Sequence, residues 1–259
     1  TTIDESPVMK GVLWVGTDDG NVQLTRDGGK TWVKLNDRIT DNPGYWVSRV
    51  IASHHNAGTA YVTYTGRRRD DFRPFVYKTT DFGETWVKIA NDLPNEPVNV
   101  IREDRKNPNL LFLGTDKAVY VTIDGGKNWT QMKNNMPTQP VHDLVIHPRE
   151  NDLVVGTHGR GFFITDISPL QELTGSVLEL NVHLFTIEPK VQWVIPSQKV
   201  VSAQNFAGPN EPYGIVVNYY LKNRVNSEVK ISIYQGTRMI NEITGTNYQG
   251  INSVEWNMS

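Results

Sequence analysis

Short apolar runs that end at a Gly-Thr pair and a polar turn recur along the first part of the chain. They are rich in β-branched and aromatic residues, which is typical of strands. Each run is followed by a second strand and a turn, and an outgoing strand follows the turn at 33–35 and 87–90. An apolar stretch between the units supplies the first strand of the next unit. Four antiparallel strands per unit predicts a β-propeller blade. The predicted strands in these three sets are 12–17, 111–115 and 153–157, then 22–25, 119–122 and 162–165, and finally 45–52, 98–103 and 141–147.

One octapeptide skeleton, Thr-x-Asp-x-Gly-x-x-Trp, occurs three times, each time at a turn that follows a predicted strand. The Asp can accept hydrogen bonds from backbone N–H groups of the turn, and the Gly supplies a positive φ. The Trp can close its apolar face over the turn. Three equivalent carboxylates in three equivalent turns cannot all form an active site, so we assign these positions a structural role. The residues are Thr25, Asp27, Gly29, Trp32, Thr79, Asp81, Gly83, Trp86, Thr122, Asp124, Gly126 and Trp129.

The spacing of the octapeptides agrees with this blade assignment. The interval between Asp81 and Asp124 is close to the roughly 40–45 residues of a four-stranded blade. The interval from Asp27 to Asp81 is longer because the loop 66–74 is extended. Asp166 falls in register, but no Gly-x-x-Trp follows it, so the repeat ends there. Counting strands predicts an incomplete propeller whose first blade lacks its inner strand.

The pattern changes after Pro189. Five candidate strands without the octapeptide are separated by Gly, Asn and Pro turns. In 229–234 the alternation leaves one face apolar. Before this region, 169–173 is predicted to form a helical turn, and 182–187 is the candidate closing strand of the last blade. The five strands are 191–195, 214–221, 229–234, 239–244 and 251–256.

The octapeptide resembles the Asp-box, or BNR, repeat of sialidases, sortilin-type receptors and secreted bacterial proteins that carry a glycosyl hydrolase label. The resemblance to the sortilin-like bacterial proteins covers nearly the whole chain and also rests on the segments 16–20, 71–81 and 152–161. It implies a bacterial protein that is extracellular, on the cell surface or periplasmic. It also implies an Ig-like or fibronectin-like module after the propeller.

The predicted fold class is therefore all-β, with a partial, incomplete β-propeller of Asp-box blades followed by a β-sandwich module. The C-terminal blades of the propeller occupy 1–168. The segment 169–188 is a linker that holds the candidate closing strand. The Ig/fibronectin-like sandwich occupies 189–259 and is truncated, because it is short for a sandwich of roughly 100 residues.

Composition narrows the classes of partner. The net charge is -2, so there is no electrostatic case for nucleic acid or for an anionic membrane surface. Without Cys there is no disulfide framework and no thiolate metal site. No apolar run approaches the roughly 20 residues of a membrane helix. We expect no cofactor, no metal and no membrane span. The expected partner is a protein or glycan ligand, or the remainder of a parent propeller.

Candidate ligand-binding residues follow the second strand of each predicted blade, where the loops share a face with the connections between blades. In 156–161, two extra glycines allow close backbone approach. Arg160 presents a planar fork of donors suited to carboxylates or sulfates, and His158 adds a pH-sensitive group. The alternative is that Arg160 pins an adjacent blade through an ion pair, while the Asp-Gly positions are hairpin turn residues. The candidates are His158, Arg160, Asp18, Asp19, Asp116, Arg67 and Arg69.

No catalytic motif stands out. Sialidases bind their substrate carboxylate with an arginine triad, whose N-terminal motif is absent here. His142 and His147 are five residues apart and lie on opposite faces of a strand, so a shared metal is not expected. The leading hypothesis is a secreted propeller that binds a protein or glycan partner through one face. The alternative is a carbohydrate-active hydrolase, sialidase-like or endoglucanase-like, whose catalytic residues are unknown in this chain.

Overall fold

The computed structural model describes residues 1–133, 135–190 and 212–258. The chain divides into two compact units, Thr1–Gln171 and Glu172–Ser259. Nearly all regular structure is antiparallel β-sheet, as predicted. The first unit ends close to residue 168, the predicted end of the propeller.

Four small antiparallel sheets follow one another along the first unit. Each pairs its strands in chain order, which is the strand order of a propeller blade. Blades 1 to 3 have four strands and blade 4 has three. The strands are β1 (Thr2–Glu5), β2 (Leu13–Gly16), β3 (Val22–Thr25) and β4 (Val33–Lys34) in blade 1; β5 (Trp46–Ala52), β6 (Ala60–Gly66), β7 (Asp71–Thr79) and β8 (Val87–Lys88) in blade 2; β9 (Val98–Glu103), β10 (Leu111–Thr115), β11 (Val119–Thr122) and β12 (Thr130–Met132) in blade 3; and β13 (Val141–Ile146), β14 (Asp152–Thr157) and β15 (Phe162–Asp166) in blade 4.

Blade 1 has its inner strand, so the prediction that this strand is missing is wrong. β1 pairs with β2 and places Ile3 opposite Val15. Its sequence, Thr-Ile-Asp-Glu, has one apolar residue, so hydrophobic periodicity could not reveal it. Asp4 joins it to the next blade, because Asp4 Oδ2 accepts a hydrogen bond from the backbone N–H of Ala52 at 2.8 Å. Contact with blade 2 therefore stabilises a strand that its own sequence favours weakly.

The core of the first unit lies between consecutive blades, with one apolar cluster at each of three interfaces. Trp14, Tyr61 and Phe112 occupy equivalent positions in β2, β6 and β10 and are fully buried. The glycine before the threonine in the recurring runs lets the next blade approach. A Cβ on Gly114 would lie 2.6 Å from Cγ1 of Val141, which is closer than packed atoms come. Blade packing thus explains the glycine in the runs of blades 1 and 3, whereas a Cβ on the corresponding glycine of blade 4 would lie no closer than 3.5 Å to another atom.

The side of blade 1 that faces away from blade 2 and the side of blade 4 that faces away from blade 3 are exposed. Trp32 of blade 1 is 41% exposed, whereas Trp86 and Trp129 of the next two blades are 7% and 9% exposed. On blade 4, Phe162 and Ile164 are 77% and 65% exposed. The octapeptide tryptophan is buried where a preceding blade packs against it. The first unit is accordingly a partial propeller, as predicted.

The segment after blade 4 departs from one prediction and confirms another. The predicted helical turn is present as α1 (Ser168–Glu172), followed by α2 (Gly175–Leu178). The predicted closing strand is wrong as an element of blade 4, because β16 (Val182–Leu184) pairs with β17 (Ile215–Leu221) of the second unit. The apolar content of 182–187 identified a strand but could not identify its partner.

The second unit is also built from antiparallel strands. One sheet has the order β16-β17-β20, with β20 (Gly250–Trp256), and a separate two-stranded sheet joins β18 (Val229–Gln235) to β19 (Arg238–Gly245). Four of the five strands predicted for this region are confirmed, and the predicted strand 191–195 lies outside the described residues. Assignment of the unit to the Ig or fibronectin class stays a prediction.

Candidate binding face

Hydrogen bonds between turns define the two sides of the first unit. On one side, the backbone N–H of Asp116, in the β10–β11 loop, donates to the carbonyl of Pro97, which leads into β9. On the other, the N–H of Gly28, in the first octapeptide, donates to the carbonyl of Gly11 in the β1–β2 turn. We call the first side the loop face and the second the box side. The loops after the second strands and the octapeptides thus lie at opposite ends of the blades.

The box side is organised by carboxylates that serve their own turns. Asp81 Oδ1 accepts hydrogen bonds from Thr79 Oγ1 at 2.8 Å and from the backbone N–H of Thr85 at 2.9 Å. Its Oδ2 accepts from Thr85 Oγ1 at 2.6 Å. Trp86 Nε1 donates to the carbonyl of Gly83 at 3.2 Å. Equivalent carboxylate bonds join Thr25, Asp27 and Thr31, and Thr122, Asp124 and Asn128.

The seventh position of the octapeptide is a part of the motif that the sequence analysis missed. Thr31, Thr85 and Asn128 each donate a side-chain hydrogen bond to the second oxygen of the Asp in their own turn. The signal was available, because all three copies carry a short hydrogen-bonding side chain there. Each turn therefore uses both oxygens of its carboxylate.

These bonds set the ionisation of the box carboxyls. The side-chain and backbone donors of Thr85 lower the pKa of Asp81 to about 2. Thr31 lowers the pKa of Asp27 in the same way. Both groups are ionised at neutral pH, and their oxygens accept bonds from the turn. The box carboxylates are consequently poor candidates for proton transfer to a substrate.

Replacing Asp81 by Ala is expected to lower the thermal unfolding midpoint more than replacing Asp18 by Ala, because Asp18 is exposed and has no hydrogen-bond acceptor role among the described residues. The pKa of folded Asp81 lies below its ordinary value of 3.8. Its contribution to stability is therefore present above about pH 4 and is lost as the pH falls toward 2. The thermal unfolding midpoint, measured at several pH values between 2 and 7, should depend less on pH for Asp81→Ala than for the unmodified chain. Equal midpoint shifts for the two variants would contradict the assigned role.

The loop face contains an open groove of about 630 Å³ between blades 2 and 3. It is bounded by the β6–β7 loop, the segment that leads into β9, and the β10–β11 loop. The lining residues are Asp70, Asp71, Phe72, Arg73, Asn95, Pro97, Asp116 and Lys117.

Three ion pairs at or beside this groove share one arrangement, in which the acid is largely shielded from solvent and the cation is exposed. Arg73 and Asp71 are 2.7 Å apart, and their side chains are 66% and 12% exposed. Arg67 and Asp116 are 3.5 Å apart, and their side chains are 58% and 15% exposed. Lys117 and Glu96 are 3.9 Å apart, and their side chains are 59% and 9% exposed. The carboxylates therefore lie beneath the surface and the positive groups face the solvent.

Aromatic rings support the remaining arginines of this surface. The guanidinium of Arg68 lies 4.3 Å from the ring centroid of Trp46, and that of Arg69 lies 5.6 Å from Tyr45. Such stacking holds a cation in place without neutralising it. Phe72 is 48% exposed at the edge of the groove. We call the set of exposed cations the basic crest; it consists of Arg67, Arg68, Arg69, Arg73 and Lys117.

The structure separates the predicted aspartates by role. Asp19 accepts hydrogen bonds from Thr17 Oγ1 and from Asn21 Nδ2, so it closes its own hairpin turn. Asp18 is exposed in the same turn and does not line the groove. Asp116 lines the groove and accepts from Asn99 Nδ2 at 3.0 Å as well as pairing with Arg67. Of the three, Asp116 alone belongs to the groove.

His158 and Arg160 are exposed in the β14–β15 loop, away from the groove lining. Gly159 and Gly161 have φ values of 80° and 74°, so this loop depends on left-handed glycines. The His158 ring lies 5.2 Å from the ring of His142. Within the described residues Arg160 forms no ion pair, so its guanidinium is not used to pin a neighbouring blade.

Side chains near the inner strands form a second polar cluster, beside a cavity of about 300 Å³. Arg49 and Arg102 both donate to Asp143 Oδ1, at 3.0 and 2.8 Å. Arg102 also donates to the carbonyl of Leu144 at 2.6 Å. Burial raises the pKa of Asp4 and lowers the pKa of Arg102. Each contact joins different blades, so this cluster holds the blades together.

Neither a metal centre nor a membrane helix is found in the described ranges. Among the described residues, no group of three or more His, Cys, Asp or Glu side chains could hold a metal ion. In the same ranges, no helix has both the length and the apolar character that crossing a membrane requires.

Comparison with known proteins identifies a family and a fold. The family model described as Sortilin, neurotensin receptor 3 (Sortilin-Vps10) matches residues 75–254. No curated protein matches the chain. The xyloglucanase of Xanthomonas campestris, a GH74 enzyme, superposes with a TM-score of 0.51 at 12% identity, over 85% of this chain and 34% of that one.

Two further solved structures are similar. The GH74 enzyme of Niastella koreensis gives a TM-score of 0.50 at 16% identity, over 85% of this chain and 35% of that one. YCF48 bound to a D1 peptide gives 0.47 at 20% identity, over 64% of this chain and 50% of that one. The chain spans about half the length, or less, of these three proteins. At this identity the GH74 similarity establishes the propeller fold alone.

Proposed function

We propose that this chain, which belongs to the Sortilin-Vps10 family, is a propeller scaffold that binds a protein partner through its loop face. The family description names a neurotensin receptor, and this supports a binding role. We further propose that the chain works outside the bacterial cell or in the periplasm. A glycan is the alternative ligand.

The observation that carries this proposal is the contrast between the two sides of the blades. On the box side, carboxylates such as Asp81 accept hydrogen bonds within their own turns. On the loop face, the cations of the basic crest face the solvent, and the acids paired with three of them are at most 15% exposed. Exposed cations held in defined positions can pair with a partner at a small cost in conformational entropy. The loop face is thus the better candidate for recognition.

His158 and Arg160 extend this face onto blade 4. Both are exposed, and the guanidinium of Arg160 has no acid partner in the described part of the chain. A free guanidinium can form two parallel hydrogen bonds with a carboxylate of the partner. His158 offers a second donor or acceptor beside it. We assign both residues to partner binding.

Glycoside hydrolysis is the competing function, because GH74 enzymes share the fold. It requires one carboxyl that can donate a proton and a second that acts as base or nucleophile. At the groove, the bidentate bonds of Arg73 hold the pKa of Asp71 well below its usual range. Asp116 is held by Asn99 and Arg67. These engagements favour binding over hydrolysis at the groove.

Replacing Arg160 by Ala is expected to abolish capture of peptides selected on the unmodified chain from a random phage-displayed library. The thermal midpoint should stay nearly unchanged, because the Arg160 side chain is exposed and unpaired in the described ranges. Arg149→Ala is the matched control, since Arg149 is an exposed arginine at the opposite end of the same blade. Capture and melting temperature should be measured on both variants.

Three results would count against the proposal. Unchanged capture by Arg160→Ala would remove this residue from the binding face, and a large loss of stability would assign it to the scaffold. Release of reducing ends from xyloglucan by the unmodified chain would favour the hydrolase.

A further inference from the structure

We propose that the basic crest binds an extended acidic segment of the partner, with one apolar side chain of that segment seated on Phe72. This inference rests on the proposed binding function and names the chemistry of the partner. The site comprises the groove between blades 2 and 3 and the adjoining 3₁₀ turn, whose Arg67, Arg68 and Arg69 do not line the groove itself. It is distinct from the loop that carries His158 and Arg160.

Charge at this surface is layered, with each paired acid more shielded from solvent than its cation. At each of the three ion pairs the acid is at most 15% exposed while its cation is at least 58% exposed. A ligand that reaches this surface meets guanidinium and ammonium groups before any carboxylate, apart from exposed Asp70. The buried acids orient these cations, and they leave part of each hydrogen-bonding group available. The surface therefore complements anions although the chain as a whole carries a charge of -2.

The basic crest is fixed in position by contacts within the chain itself. Arg67–Arg69 forms a single 3₁₀ turn, closed by a hydrogen bond from the N–H of Asp70 to the carbonyl of Arg67 at 3.3 Å. The chain then returns directly into β7, where Asp71 pairs with Gly66. Arg68 lies on the ring of Trp46, as described above. Binding to a surface with few free rotamers loses less conformational entropy.

The groups at this surface favour one type of anion, a row of carboxylates on an extended chain. Carboxylates match the planar donor fork of arginine, and a row of them needs an extended carrier. The groove is also bounded by the exposed ring of Phe72 and by Pro97, which offer apolar contact that a purely anionic polymer cannot use. The rings of Trp46 and Tyr45 have arginines over them, so they do not serve as open stacking platforms for bases. An acidic peptide with an apolar residue supplies the carboxylates, the extended backbone and the apolar contact, and it needs no open ring for stacking.

The test uses two fluorescein-labelled synthetic peptides, one of glutamates alone and one of glutamates with a central leucine. We expect the second to bind more tightly and both to weaken as salt rises, because charges at an exposed surface are screened. The double variant Arg68→Ala/Arg69→Ala should weaken both peptides by about tenfold or more. These two arginines lie on aromatic rings and carry none of the three ion pairs, so the fold should be retained; the thermal midpoint checks this.

Phe72→Ala separates recognition from simple charge attraction. It should weaken the leucine peptide several-fold and leave the all-glutamate peptide unchanged. Arg149→Ala removes one positive charge at the box side and is the matched control, with no expected effect on either peptide.

Any of the following four results would overturn the inference. If Arg149→Ala weakens binding as much as the crest variant, the attraction is not local. If a heparin oligosaccharide binds more tightly than the leucine peptide and Phe72→Ala has no effect, the ligand is a sulfated glycan. If neither acidic peptide binds while Arg160-dependent capture of random peptides is intact, the crest is not the site but the proposed function stands. If both assays fail, the proposed function fails as well.

Discussion

Glu103→Ala is expected to lower the free energy of unfolding by about 3 kcal/mol or more, since a buried donor left without an acceptor costs roughly 1–3 kcal/mol. Glu103 is 4% exposed at the interface between blades 2 and 3. Its Oε1 accepts from Ser53 Oγ at 3.0 Å and from Tyr61 OH at 2.9 Å, and its Oε2 accepts from the N–H of His54 at 2.7 Å. Alanine leaves all three donors unsatisfied.

Tyr61 shows that this contact is a hydrogen bond from a neutral phenol. Burial and the neighbouring Glu103 carboxylate raise the pKa of Tyr61, so its hydroxyl stays protonated and can donate. Glu103→Gln is the matched control because it keeps the shape and one acceptor oxygen. Urea denaturation followed by tryptophan fluorescence should give a much smaller shift for Gln than for Ala. Equal shifts would show that side-chain volume, not hydrogen bonding, accounts for the effect.

The same interface positions the binding groove. Arg67 of blade 2 pairs with Asp116 of blade 3, so the basic crest spans the two blades that Glu103 joins. A change in their relative position would separate the cations that the acidic peptide is proposed to contact. Glu103→Ala should therefore weaken peptide binding even at temperatures where the chain remains folded.

The blade repeat could be predicted from the sequence because its signals are local. In each octapeptide the Asp and the groups it binds lie within five residues, as Asp27 and Thr31 do. The residues that set the turn are thus adjacent in the sequence and recur together. The Gly of the apolar runs also recurs in the sequence, but its structural reason in blades 1 and 3, close approach of the next blade, is not local.

The features that the sequence could not reveal depend on contacts between distant segments. β1 is stabilised by the bond between Asp4 and Ala52, which are far apart in the chain. The strand at 182–187 has the right composition for a closing strand, but its hydrogen-bonding partner is β17. Strand composition is a property of one segment, whereas pairing depends on two.

The basic crest illustrates the same limit for the site. As a sequence, 67–69 is a run of three arginines, and the simplest interpretation of such a run is a solvated loop. Its significance comes from Asp116, which lies beneath Arg67, and from Trp46, on which Arg68 rests. Neither partner is near the run in sequence. The exposure of a cation and the burial of its acid are properties of the folded blades.

Trp14→Ala is expected to destabilise the first unit by roughly 3–5 kcal/mol, the usual cost of truncating a large buried aromatic residue. Trp14 is fully buried between blades 1 and 2, and its ring meets the ring of Trp86 edge-on, with centroids 6.2 Å apart. Alanine would remove this contact and leave a cavity in a packed interface.

Trp14→Phe separates the contribution of ring packing from that of the polar atom. Trp14 Nε1 is buried and, among the described residues, has no hydrogen-bond partner. Phenylalanine loses part of the ring volume, but it also removes an unsatisfied donor, and these two effects oppose each other. We expect the shift in the urea midpoint for Phe to be well below half of that for Ala. Similar shifts for Phe and Ala would mean that the indole N–H is satisfied in solution and contributes to stability at this position.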